Sequence, residues 1–145
     1  MQLKARVKNC NGCEACIVGC KYSCVKMTEE EGKKLPEINE GACSKCNSCI
    51  LYCPLYNPVE LPEFDEFFES KEDVRKREMA PIYRATMRSI KEGKHTEFVG
   101  TLCQIAALKS LRGDKLAHNL ALFPIYCGEE QRNSNEACKE CPFYK

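Results

Sequence analysis

The apolar positions along this chain change rhythm three times. Val25 to Asn39 lies between two cysteine runs and contains a charged turn at Glu30 to Lys34, and the block as a whole looks like two short helical turns flanked by small strands. Further on, Phe64, Phe67 and Phe68 fall at helical spacing, as do Tyr83, Met87 and Ile90, and Pro81 separates the two stretches. This spacing predicts two amphipathic helices. Beyond them, Glu97 to Gly100 reads as a short strand. Ile105, Leu108 and Leu111 mark a helix that stops at Gly113, and Leu120 to Tyr126 reads as a second strand. A strand, helix, strand unit of this kind pairs its strands in parallel, so that both C-terminal ends emerge at one edge. Pro124 shortens the second strand or confines it to a sheet edge.

Thirteen cysteines in 145 residues alter this picture, because so high a content dictates architecture. Nine lie in residues 1 to about 55, none in the middle block, and four in the last. Disulfides would imply secretion, yet Met1 to Arg6 leads into polar sequence with no apolar leader core, so a reducing cytoplasm and bound metal are expected. Nowhere do eighteen apolar residues run together, so any membrane association is expected to be peripheral and through partners. Lys and Arg number 22 against 21 Asp and Glu, which gives no nucleic-acid signature.

The first cysteine run is Cys10, Cys13, Cys16 and Cys20. The second is Cys43, Cys46, Cys49 and Cys53, at the same C-x2-C-x2-C-x3-C spacing and followed by Pro54. In such runs three thiolates surround one iron–sulfur cube and the fourth reaches the other. The ligand sets are then Cys10, Cys13, Cys16 and Cys53 for one 4Fe-4S cluster, and Cys43, Cys46, Cys49 and Cys20 for the second. Zinc is the competing reading, but it takes four thiolates from two pairs, not evenly repeated quartets. Two clusters bring the formal charge from +1 to about −3, and a third to about −5. So small a block buries little apolar area, and the clusters are expected to serve as its core. Over residues 1 to about 58 the chain resembles the bacterial-type two-cluster ferredoxin family; it departs at Lys21, where that family usually has proline. Cys24 belongs to neither quartet and is either a spare buried thiol or a substitute ligand for Cys20.

Cys103, Cys127, Cys138 and Cys141 remain. Cys103 follows the first strand of the parallel unit and Cys127 ends the second, so both emerge at one edge, where the Cys138–Cys141 pair could fold over. A third metal site is expected there: an iron–sulfur cluster, 4Fe-4S or 2Fe-2S, in preference to structural zinc or unliganded thiols. His95 and His118 read as surface or helix-end residues. The fold class expected is α+β: a two-cluster ferredoxin-like domain at 1–58, a helical linker at 59–94, and a C-terminal β-α-β cysteine-rich domain at 95–145. In the linker, Glu63, Asp65, Glu66 and Glu69 make an acidic start, whereas Arg84, Arg88, Lys91 and Lys94 are basic. Solvated helix faces, or a docking surface for an acidic redox partner, would both fit.

Phe98 to Leu108, Phe-Val-Gly-Thr-Leu-Cys-Gln-Ile-Ala-Ala-Leu, resembles a segment of the beta-subunit family of deazaflavin-dependent hydrogenases and dehydrogenases. That family joins a ferredoxin part to a flavin domain with Gly-Thr-Pro-Cys-Gln; Leu102 here replaces the proline. The family's long flavin-binding interval is reduced to the middle block, without the Gly-Gly or Gly-x-Gly turn that brings amides close to phosphates, so no flavin is expected in this chain. The resemblance implies a non-catalytic electron-transfer subunit of an oxidoreductase complex, relaying single electrons from a deazaflavin-oxidising flavoprotein module to a larger respiratory or methanogenic complex of archaeal type. The small accessory iron–sulfur subunit of a membrane-bound deazaflavin dehydrogenase would fit. The alternatives are a catalytic subunit acting on deazaflavin or a thiol at the last four cysteines, and a zinc-braced docking module carrying a ferredoxin.

Overall fold

A computed structural model describes residues 13–20, 24–30, 33–39, 41, 51–54, 59–69, 71–75, 77–112 and 117–127. Its elements are α1 (Ala15–Gly19), β1 (Val25–Glu30), β2 (Lys33–Ile38), α2 (Glu72–Arg75), α3 (Ala80–Lys91), β3 (Thr96–Gly100), α4 (Leu102–Leu111) and β4 (Leu120–Pro124). Among the described residues no helix is long and apolar enough to cross a membrane.

Burial is densest around α4, where Leu102, Gln104, Ile105, Ala106, Ala107, Leu108 and Ser110 are all buried. A helix covered on most sides has no need of an amphipathic stripe, and this one is enclosed by packing from two directions. On one side Ile105, Ala107 and Leu108 share a core with Met79, Tyr83, Phe98, Cys13 and Ala15. On the other, Leu102 and Ala106 meet Val59, Leu61, Phe64 and Phe67. All three sequence blocks therefore contribute to the packing around one helix. Each large apolar side chain fully buried there contributes about 1.5–3 kcal/mol.

β3 and β4 pair in parallel, from Thr96 opposite Leu120 to Gly100 opposite Pro124, and α4 connects them. Along β3 burial alternates, with Thr96, Phe98 and Gly100 inward and Glu97 and Val99 outward. The parallel strand, helix, strand arrangement is the one read from the sequence, and Pro124 is the last residue of β4. α3 also forms where its apolar spacing predicts, with Pro81 in its first turn, where a missing N–H costs nothing. Its buried face is Ala80, Tyr83, Thr86 and Ile90, while Arg84, Arg88 and Lys91 are exposed.

The helix expected over Phe64 to Phe68 does not form. Residues 59–69 run as a strap with no helical turn, and Phe68 bridges Ile125 in parallel. Phe68 N–H donates to the Pro124 carbonyl at 2.8 Å, and Tyr126 N–H donates to the Phe68 carbonyl at 3.0 Å. The rings find partners on the β4 side: Phe67 stacks on Tyr126 at 5.0 Å and Phe68 meets Phe123 edge-on at 5.9 Å. Tertiary aromatic contacts thus outweigh a helical periodicity that Pro62 already weakens, since proline biases the residue before it toward extended backbone.

In the N-terminal block, β1 and β2 form an antiparallel hairpin, from Val25 opposite Ile38 to Glu30 opposite Lys33. The hairpin reverses within the charged stretch Glu30 to Lys34, whose tip, 31–32, lies outside the described residues.

Candidate metal centre

The first cysteine run turns sharply at Glu14, which precedes the five-residue α1 with φ 68° and ψ 9°. This left-handed conformation costs a non-glycine residue on the order of 1–2 kcal/mol. The Glu14 side chain offsets that cost. It is only 4 % exposed, and its carboxylate accepts the Met79 N–H at 2.9 Å and the Ala80 N–H at 3.3 Å. These amides belong to the N-terminus of α3, whose first N–H groups have no partner within the helix and whose dipole favours a negative group. Met79, at the N-cap position of α3, makes no side-chain cap bond, so a residue 65 positions earlier supplies the acceptor.

One turn into α3, the Tyr83 hydroxyl donates to the Cys13 carbonyl at 2.6 Å. Tyr83 is wholly buried, with its ring stacked on Phe98 at 6.1 Å. Burial pushes its hydroxyl pKa well above the usual value, and Cys13, Cys103 and Glu14 act in the same direction, while Arg77 opposes them. The peptide joining Cys13 to Glu14 is therefore held from α3 at both ends.

Cys13, Cys16 and Cys53 are 8 %, 6 % and 7 % exposed, so the three described members of the first ligand set are all withdrawn from solvent. Cys53 follows Tyr52, whose ring lies against Gly19: a Cβ at Gly19 would stand 2.5 Å from Tyr52 Cδ2. The Ser110 hydroxyl of α4 donates to the Tyr52 carbonyl at 3.0 Å. Cys16 packs with Cys24 and Val25, against Ile17, Cys20 and Ile38. Cys20 Sγ stands 3.2 Å from Cys24 Sγ, and Cys24 is buried. Cys10, Cys43, Cys46 and Cys49 lie outside the described residues. Among the described residues no three His, Cys, Asp or Glu side chains gather into a metal-binding group. The donor chemistry nonetheless suits an iron–sulfur cluster: soft thiols, buried, at both ends of a tight turn.

Farther along the chain, Cys103 is the second residue of α4, directly beyond β3, and Cys127 lies just past β4. The parallel pairing brings both to the same strand-end edge, as the sequence predicts. Cys138 and Cys141 lie outside the described residues. The segment Gly100-Thr101-Leu102-Cys103-Gln104 has a local structural role. Thr101 caps α4 by accepting the Gln104 N–H, and the Gln104 side chain accepts the Thr101 N–H at 3.1 Å, which completes a capping box. Gly100 makes room for that side chain, because a Cβ there would stand 2.6 Å from Gln104 Oε1. The Cys103 thiol stands 3.0 Å from the Thr101 hydroxyl. His95 and His118 are exposed, and His95 Nε2 lies 3.6 Å from Glu97 Oε1.

Glu14 and Tyr83 escape a reading of the cysteine motifs. The available hint is the sequence Glu78-Met79-Ala80-Pro81, a helix start with no Ser, Thr, Asp or Asn to cap it, which requires an acceptor from elsewhere. Comparison with protein families, characterised proteins and solved structures finds no match to this chain.

Proposed function

We propose that this chain is an iron–sulfur electron-transfer subunit carrying two 4Fe-4S clusters. The observation that carries the reading is the exact duplication of the C-x2-C-x2-C-x3-C spacing, with Pro54 after the second run. Burial of Cys13, Cys16 and Cys53 supports it, since exclusion of solvent protects a cluster and helps set its potential. Cys10, Cys13, Cys16 and Cys53 would hold one cluster, and Cys43, Cys46, Cys49 and Cys20 the other. The clusters supply reversible one-electron storage. The protein's part is to bind them, exclude water and fix the surrounding dipoles, for which it needs no acid, base or nucleophile. Cys103 and Cys127 at one strand-end edge support a third thiolate site there, completed by Cys138 and Cys141.

Its setting, by resemblance, is a multi-subunit complex in which a deazaflavin-oxidising flavoprotein supplies electrons and a larger redox assembly receives them. Metal and acid-labile sulfide per chain, after anaerobic purification, test the reading. About eight irons are expected for two clusters and about ten to twelve with a third; fewer than about eight sinks the two-cluster assignment. One zinc beside eight irons would make the C-terminal unit a braced docking module. Co-purification of a flavoprotein would support the proposed setting.

A further inference from the structure

Hydrogen bonds from the start of α3, one from a side chain and two from backbone amides, end on the Cys13–Glu14 part of the Cys13-x2-Cys16 turn. The Tyr83 hydroxyl donates to the Cys13 carbonyl, and the Glu14 carboxylate accepts the Met79 and Ala80 amides. Cys53, assigned to the same set from the other run, is tied to the C-terminal unit next door, through Ser110 and the Tyr52 carbonyl. Cys20, assigned to the second set, instead stands beside Cys24, with the hairpin residues Val25 and Ile38. The C-terminal half of the molecule thus grips the surroundings of one ligand set from two directions.

We infer that Tyr83 and Glu14 are positioning residues for the cluster on Cys10, Cys13, Cys16 and Cys53, forming a latch through which α3 acts on that cluster. The inference rests on the function proposed above. Hydrogen bonding, local dipoles and solvent exclusion around the ligands tune a cluster's potential. The Cys13–Glu14 peptide adjoins one ligand directly. Its orientation is fixed by a buried hydroxyl on one side and, through the Glu14 carboxylate, by two helix amides on the other. Releasing either bond lets the peptide turn and changes the dipoles that the cluster meets. A partner that shifted α3 would act on the same cluster by the same route, so the latch also gives the C-terminal half a means of setting the potential of one centre.

The test is a potentiometric titration of the intact holoprotein followed by electron paramagnetic resonance. The variants are Tyr83→Phe, which keeps the ring and removes the hydroxyl, and Glu14→Gln, which keeps an acceptor oxygen and removes the charge. Cys46→Ser, which removes a ligand from the second set only, identifies which signal belongs to which cluster. The expected result is a midpoint shift in the first cluster's signal, with the second unchanged and iron content retained. Loss of about four irons with the second signal intact also supports the latch. Equal shifts in both signals, or no shift in either variant with full iron, overturn it and leave the two-cluster function standing. A wild-type chain without iron overturns both. Should Tyr83→Phe lose all its iron, Glu14→Gln decides.

Discussion

The β1–β2 hairpin and the β3–β4 pair each contain two strands, but they are held in different ways. β3 and β4 are parallel and need α4 to connect them, so their pairing comes with a helix buried on most sides and a core reaching Tyr83 and Ala15. The hairpin closes locally. Its described apolar support is a small cluster of Cys24 and Val25 with Cys16, joined by Ile17, Cys20 and Ile38, in which cysteines are as prominent as aliphatic side chains. A two-stranded hairpin is marginal in water by itself. The lesson is that the C-terminal unit is stabilised by hydrocarbon burial, whereas the hairpin has little of it among the described residues and would draw its support from the proposed clusters.

The largest effect should come from removing the proposed clusters. After anaerobic chelation, amide exchange is expected to rise across 25–38 while 80–91 and 102–111 stay protected; equal deprotection of both regions would break the contrast. Next comes Leu108→Ala, which empties a fully buried position in the core under α4. It should cost about 2–5 kcal/mol in urea unfolding, through lost burial and the cavity left behind. An effect near zero would mean that burial does not hold this unit together. The smallest change is Thr101→Ala, which deletes half of the capping box. It should cost about 0.5–2 kcal/mol and raise exchange in the first turn of α4, with Thr101→Ser restoring most of the loss.

Much of this architecture was legible because the responsible interactions are local. The strand, helix, strand unit announces itself through Ile105, Leu108 and Leu111 between two apolar runs, and α3 through Tyr83, Met87 and Ile90 after Pro81. The cysteine repeat likewise carries its chemistry in its spacing. What escaped depends on partners distant in sequence. Phe64, Phe67 and Phe68 fit a helical template equally well, and only the presence of Phe123, Ile125 and Tyr126 alongside makes an extended strap the better structure. In the sequence Glu14 is one carboxylate between two cysteines, and its role emerges only when the uncapped start of α3 is brought to it. The GTxCQ-like segment differs from these, because its helix cap is made locally, between Thr101 and Gln104.

The 65 residues between Glu14 and Met79 also order events in time. At a synthesis rate of about 5–20 residues per second, the first cysteine run is made about 3–13 s before the helix that latches it. During that interval nothing from α3 covers the Cys13–Glu14 turn. Only when Met79, Ala80 and Tyr83 follow can the turn acquire its hydrogen bonds to α3. A contact that looks like simple packing in the finished protein is, during synthesis, one that the first cysteine run must wait for.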